Sequence, residues 1–363
     1  MAIGNSVNFS KLGGRASMNS KSRRIVVKRS MRTLSVIVSV CAALAVYGAD
    51  GPKPLPAARV WDFSPNGPIA FSPDGTDLLT VGGENVLQLR KVPSGELDRT
   101  IGDAGTVIRS VAISPNQRLI ASGGSDAMVR LWDFQGGRES RIQKGHTAVI
   151  QCIAFSPDGK ELASGSSDET ARIWDVKSGR TELTFYQPGK IAGARPSEGI
   201  PGMVFAVAFS PDGTLLASGG GDGAGEYGEL VLWDLKRNRL RQSLLGASEQ
   251  QVWAVAFTPD GKRLVSGQVN GKVKVFDVAS GASAGEMDAG ESLRAIAISP
   301  DGRILATGIR QSIKLWDLAK KALIRSLESP NDFMVGSLAF SPDGKWLASE
   351  DRRVRLWEIP DRK

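Results

Sequence analysis

The sequence predicts an all-β fold of seven four-stranded antiparallel units, and three observations predict it. The first is a turn motif that recurs seven times, as "AFSPDG" at 70–75, 154–159, 208–213 and 339–344, "AISPNQ" at 112–117, "AFTPDG" at 256–261 and "AISPDG" at 297–302. Its Ser or Thr stands at 72, 114, 156, 210, 258, 299 and 341, giving intervals of 42, 42, 54, 48, 41 and 42 residues. A period near 42 is the mark of a repeat architecture. The second is a set of apolar stretches ending in Trp-Asp or Trp-Glu, among them "VRLWDF" at 129–134 and "ARIWDV" at 171–176, which place Trp132, Trp174, Trp233, Trp316 and Trp357 in phase with the turns. The third is the lack of any helical period of useful length between these marks.

Each unit reads in the same order. An apolar strand such as 149–155 meets Ser156-Pro157-Asp158-Gly159, where Pro second and Gly fourth suit a type I turn. A second strand, "ELASGS" at 161–166, and a tight turn lead into the Trp-Asp strand, and a more polar fourth strand follows, as at 181–185. The chain ends before the seventh unit completes a fourth strand. Residues 57–63, "AARVWDF", are therefore expected to supply it and close the ring.

With seven turns and five Trp ends in phase over roughly 57–360, the chain resembles the Trp-Asp (WD) repeat family. That resemblance implies a seven-bladed β-propeller of four-stranded antiparallel blades, each unit forming one blade. It also implies an internal network in which the indole N–H finds its acceptor. In the third unit the matching residues are His146, Ser164, Asp168 and Trp174. The second unit keeps Ser122, Asp126 and Trp132 but has Ala104 in place of His, and Phe276 and Arg90 stand at the Trp position in the fifth and first units. His146 is the only histidine, so six blades must hold together without the full network.

Ahead of the repeats the composition changes. Eight basic residues between Lys11 and Arg32, with no acidic residue among them, precede an apolar run at 34–46 and small residues around Gly48 and Ala49. This pattern is that of a secretory leader. As a helix the run reaches only ~20 Å against a ~30 Å hydrocarbon core, so an anchor at 34–46 is the alternative rather than the first reading. A start at Met31 would give a compact leader, and "SRRIVVK" at 22–28 resembles a twin-arginine export signal of bacteria. The expected organisation is a leader at 1–49, a linker at 50–56 and the propeller at 57–363, with export to the periplasm or outside and membrane contact only in transit. The other 38 basic residues are balanced by 38 acidic ones, which argues against a nucleic-acid partner.

Catalytic chemistry finds little support. One histidine excludes a His-rich metal cluster, and a Ser-His-Asp triad would have to use His146. Asp74, Asp158, Asp212, Asp260, Asp301 and Asp343 recur at the same turn, so periodicity assigns them to structure. "GGGDGAG" at 219–225 lacks the Gly-Lys-Ser/Thr ending of a phosphate loop and reads as a flexible turn. Cys152 stands where other units carry Ser or Ala and reads as a packed core thiol. No cofactor or metal is expected. The rival to a non-catalytic scaffold is a propeller enzyme acting on a carbohydrate or ester through carboxylates at the channel mouth, for which Glu198, Glu226 and Glu229 are the candidates.

The expected function is protein or peptide binding by a monomer on the top face, where the second-to-third turns and the blade-to-blade connections emerge. Two insertions point there: twelve residues within 186–202 and six within 221–229. They carry Tyr186, Lys190, Arg195, Glu198 and Tyr227, with Arg195 and Tyr227 as expected anchors. A second candidate is the strand position two residues before Val111, Ile153, Val207, Val255 and Ile296. It holds Arg109, Gln151, Phe205, Trp253 and Arg294, a variety that the fold itself does not require and that reads either as a recognition ring near the channel mouth or, for Phe205 and Trp253, as ordinary packing between blades.

Overall fold

The structure, a computed structural model, describes residues 59–61, 67–186, 202–222, 227–245, 250–290, 292–329 and 333–359. The leader at 1–49, the linker at 50–56 and Lys190, Arg195, Glu198 and Glu226 lie outside the described residues. Seven four-stranded antiparallel sheets follow one another along the chain, as the repeat period requires. Blade 3 shows the pattern: Ile150–Phe155, Glu161–Ser166, Thr170–Asp175 and Thr181–Tyr186, paired in sequence order.

The Ser-Pro-Asp-Gly turns are rigid. In blade 3 the Gly159 N–H donates to Ser156 O (2.9 Å), the Ser156 hydroxyl donates to Asp158 Oδ1 (2.8 Å) and accepts from the Glu161 N–H (2.9 Å). Gly159 sits at φ 70, a left-handed conformation that glycine adopts without a Cβ penalty. These turns also interlock around the ring: a Cβ on Gly159 would meet Pro115 Cδ at 3.5 Å, and one on Gly75 would meet Pro342 Cδ at 3.5 Å across the junction of blades 7 and 1.

The ring closes as strand counting requires. Arg59–Val60 pairs antiparallel with Val354–Glu358 and becomes the outer strand of blade 7. Trp61 continues that strand, its N–H donating to Val354 O at 3.0 Å. Its indole packs with Ile69, Leu78, Val354 and Leu356, so it bridges blades 7 and 1. Gly95 must be glycine beside it, since a Cβ there would lie 2.6 Å from the indole.

All five Trp side chains of the third strands donate their indole N–H to the second strand of the same blade, at 2.8 to 3.0 Å from Ser122, Ser164, Ser218, Thr307 and Ser349. Only blade 3 extends this chain through histidine. His146 Nε2 lies 2.7 Å from Ser164 Oγ and Nδ1 lies 2.8 Å from Asp168 Oδ2. Burial acts to raise the Asp168 carboxyl, and hydrogen bonds from His146, Thr170 and the Thr147 N–H outweigh it and hold it well below the usual range. Arginine does the bridging elsewhere. Arg130 pairs with Asp126 in blade 2 at 2.7 Å, and in blade 7 the buried Arg355 pairs with Asp351 and donates to Ser329. In blade 1 Arg90 takes the Trp place and donates to Gly95 O and Gln88 Oε1.

In blade 5 Phe276 takes the Trp place and lacks an N–H, and the fully buried Ser266 hydroxyl facing it has no hydrogen-bond partner among the described residues. Leaving a buried polar group unpaired costs about 1 to 3 kcal/mol. Ser266→Ala is therefore expected to be neutral or stabilising by about 1 kcal/mol, whereas Ser164→Ala, which strands the Trp174 N–H and His146, loses about 2 to 4 kcal/mol. Chemical denaturation of the two variants reads the difference, and equal losses would contradict it.

Two expectations about blade 4 need correction. Gly219, Gly220 and Gly221 belong to the second strand, Leu215–Gly221, and are not a flexible turn. The insertion lengthens the hairpin by two residue pairs, Gly220 with Glu229 and Gly221 with Gly228, beyond the point where blade 3 stops. Glycine is needed because backbones close in: a Cβ on Gly220 would lie 2.0 Å from Met203 O, and one on Gly228 would lie 1.8 Å from Gln250 O.

Candidate interaction site

The channel mouth is built from an irregularity shared by the blades. In the first strands of blades 2, 3, 4 and 5 the register slips between Ile108 and Ser110, Ile150 and Cys152, Val204 and Ala206, and Val252 and Ala254. Each slip leaves one extra residue outside the ladder, and a bulge of this kind re-aims the side chain it frees. The four residues are Arg109, Gln151, Phe205 and Trp253, and the equivalent position in blade 6 is Arg294. All five line one cavity of 540 Å³. Blades 1 and 7 contribute Gly67 and Gly336 at this position, so the column itself carries no side chain there.

The side chains here are not independent. Phe205 and Trp253 stack at 4.5 Å with planes 3° apart, and Arg294 lies over the Trp253 ring at 3.6 Å. Trp253 Nε1 donates to Gln251 Oε1 at 2.9 Å, fixing the indole from below. Phe205 of blade 4 and Trp253 of blade 5 thus pack between blades, one of the two expectations for them, at the wall of the channel mouth. Gln151 Nε2 donates to Ser167 Oγ at 2.9 Å. Arg109 is exposed.

Among the lining residues that escaped the sequence reading are Phe333, Met334, Glu350 and Arg352. Phe333 and Met334 are each 40% exposed, and Arg352 lies over the Phe333 ring at 3.8 Å. Glu350 had a legible signal. The residue after the second-strand Ser or Thr is glycine in blades 2 to 6 (Gly123, Gly165, Gly219, Gly267 and Gly308), because the next blade packs against it; a Cβ on Gly165 would lie 2.5 Å from Val204 Cγ1. Blade 7 puts Glu350 in this column, close to Gly336 and with Oε1 accepting the Arg352 N–H at 2.8 Å. Burial pushes its carboxyl up to about 7; the Arg352 N–H opposes the rise and Asp351 adds to it.

The insertion patch of blade 4 keeps only Tyr186 as an exposed residue among those described, at 54%. Tyr227 is 3% exposed and cannot act as a surface anchor. The lengthened hairpin carries it inside, where burial and the neighbouring Glu229 push its phenol up. Glu229 is itself buried and so is not a carboxylate open to substrate.

Ser164, His146 and Asp168 form a hydrogen-bond chain with the connectivity of a catalytic triad. Ser164 is fully buried, however, and its oxygen already accepts the Trp174 N–H. The arrangement is a structural strut that no substrate reaches. The recurring turn carboxylates are likewise engaged: the Lys160 N–H and the Ser156 hydroxyl hold the Asp158 carboxyl below its usual range. Burial against blade 4 pushes the Cys152 thiol up to about 12, which disfavours the thiolate. Among the described residues no cluster of His, Cys, Asp and Glu could hold a metal ion, and no helix is long and apolar enough to cross a membrane.

Comparison with known proteins matches this geometry to a family. The model of the WD domain, G-beta repeat, matches six stretches, 95–133, 137–175, 198–224, 238–277, 287–317 and 321–358, together more than half of the chain. The chain belongs to the WD40 repeat family. Four of these six WD40 stretches begin just before the fourth strand of one blade and end with the third strand of the next. Blade 1, with Arg90 at the Trp position, is left largely unmatched. Among WD40 relatives, the small ribosomal subunit protein RACK1z of rice (Oryza sativa subsp. japonica) is 30% identical over 170 residues, 45% of this chain and 36% of its own. RACK1 of Medicago sativa is 29% identical over 180 residues, 44% of this chain and 41% of its own. The mouse WD repeat-containing protein 90 is 35% identical over 98 residues, 24% of this chain and 5% of its own. The matched part is less than half the length of each of these relatives.

Proposed function

We propose that this WD40 propeller is a non-catalytic scaffold that holds a protein or peptide partner at the mouth of its channel. The observation that carries the reading is the bulge ring. The fold repeats everything else in the first strand, yet it varies the one side chain that faces the opening and there collects aromatic, cationic and amide groups. Exposed aromatic and arginine side chains in a concave setting are the usual anchors of protein recognition. Membership of the WD40 family and the structural use of the triad-like residues support binding over catalysis. We also propose that the basic flank and the apolar run at 34–46 direct export, which intact-mass measurement of protein from its native host reads directly.

Affinity capture from the native host tests the site. Arg109→Ala with Arg294→Ala is expected to retain about a tenth or less of the partner held by the wild type, while Lys262→Ala with Arg303→Ala on the opposite face retains all of it. Unchanged capture by the mouth variant would contradict the reading.

A further inference from the structure

Three guanidinium groups gather at the channel mouth: Arg109, Arg294 and Arg352 line one cavity. Arg130, Arg263 and Arg355 each meet a carboxylate within the blade. Arg109, Arg294 and Arg352 form no ion pair and no side-chain hydrogen bond among the described residues, and Arg294 Nε is buried without a partner. Arg294 is half-buried, and a half-buried cation without a counter-charge is costly and is normally paired; Arg109 and Arg352 are exposed. Two of the three are also held in position. The Arg294 guanidinium lies 3.6 Å over the Trp253 ring and that of Arg352 lies 3.8 Å over Phe333, which localises each cation beside an aromatic face. A planar fork with free donors matches a carboxylate, and pre-organisation lowers the entropy lost on binding. Glu350, the one carboxylate lining the mouth among the described residues, accepts the Arg352 backbone N–H and feels the charge of Arg352 but forms no ion pair with a guanidinium.

The apolar groups between the cations indicate what carries the charge. Val107, Phe333 and Met334 are exposed at the rim, 40 to 45% each, and offer contact to side chains rather than to a sugar-phosphate track. The positive charge is focused at one opening, whereas a nucleic acid would need it spread along a path. Gly67 and Gly336 carry no side chain in the bulge column, which leaves room for an extended chain beside Phe333, Met334 and Arg352.

We propose that the channel mouth takes an acidic segment of the partner protein, with side-chain carboxylates seated on Arg109, Arg294 and Arg352 and apolar neighbours on Phe333 and Met334. This rests on the reading of the mouth as the scaffold's binding site and names the chemistry of its partner.

Fluorescence anisotropy of the full chain with a labelled peptide of alternating Glu and Ala tests it. The Glu peptide is expected to bind, and to bind more weakly as salt rises. Replacing Glu by Gln, or any one of the three arginines by Ala, is expected to weaken binding about tenfold or more. Lys262→Ala on the opposite face leaves it unchanged. Arg109→Ala keeps the test sound if Arg294→Ala disturbs the Trp253 stack, because Arg109 is exposed and its side chain bonds to nothing. Equal binding of the Gln peptide, equal binding by the arginine variants, or binding of a phosphoserine peptide or duplex DNA in place of the Glu peptide would each overturn the proposal. If mouth variants lose the native partner while the Glu peptide fails to bind, the acidic segment is wrong and the scaffold site stands. Undiminished capture of the partner by those variants defeats the scaffold site itself.

Discussion

Trp61→Ala is expected to lower the unfolding free energy by about 3 to 5 kcal/mol, the range for deleting a large buried aromatic side chain. Trp61 is 4% exposed and belongs to a core cluster that includes residues of both blade 7 and blade 1. In a closed ring the loss is not confined to one sheet, because repeat stability sums unit terms and neighbour terms and this side chain contributes to the seam between two units. The indole fills the space that Gly95 leaves open, so alanine creates a cavity no neighbouring side chain is placed to fill. Val60→Ala is the internal control. Val60 lies in the same short strand but is 46% exposed, and its replacement should cost no more than about 0.5 kcal/mol. Denaturant titration of both variants decides the matter, and a Trp61→Ala loss under about 1 kcal/mol would mean that the seam is held by other contacts.

Glu350→Gln is expected to stabilise the fold at pH 8 and to have little effect at pH 4. The Glu350 carboxyl is raised from 4.5 to about 7 in the folded chain, chiefly by burial. Between those values the native state binds a proton that the unfolded state has released, so wild-type stability falls as pH rises through that window. Below it the carboxyl is neutral in both states and Gln gains nothing. Above it the wild type carries a buried charge that Gln avoids, worth up to about 3 kcal/mol for a shift of this size. Thermal melts of the two proteins across pH 4 to 8 should therefore diverge as pH rises. Parallel curves would show that Glu350 titrates as an ordinary exposed carboxyl.

The fold was legible because its determinants are local and repeated. Ser156, Pro157, Asp158 and Gly159 build their turn with bonds that span five residues or fewer, so each copy announces itself. The closing strand was legible for a different reason: the seventh unit is one strand short, and only 57–63 was left to supply it. The site was less legible. Sequence spacing placed Arg109, Gln151, Phe205, Trp253 and Arg294 in one column, but the bulges that turn four of them into the channel are a matter of register, which period-two alternation does not reveal. Tyr227 misled because an insertion is naturally read as a loop, whereas here glycines without Cβ atoms let it extend a hairpin. Glu350 was visible as an acid in a column of glycines, yet its importance depends on Gly336 and Arg352, which only the folded ring brings near it.

Site-specific photo-crosslinking in the native host tests the central claim most directly. A photoreactive residue in place of Phe333, at the rim of the mouth, and a second in place of Lys262, on the opposite face, report which face holds the partner. A protein adduct at position 333 that disappears when Arg109 and Arg294 are replaced by Ala is the predicted result. Adducts at position 262 with none at 333 would contradict it.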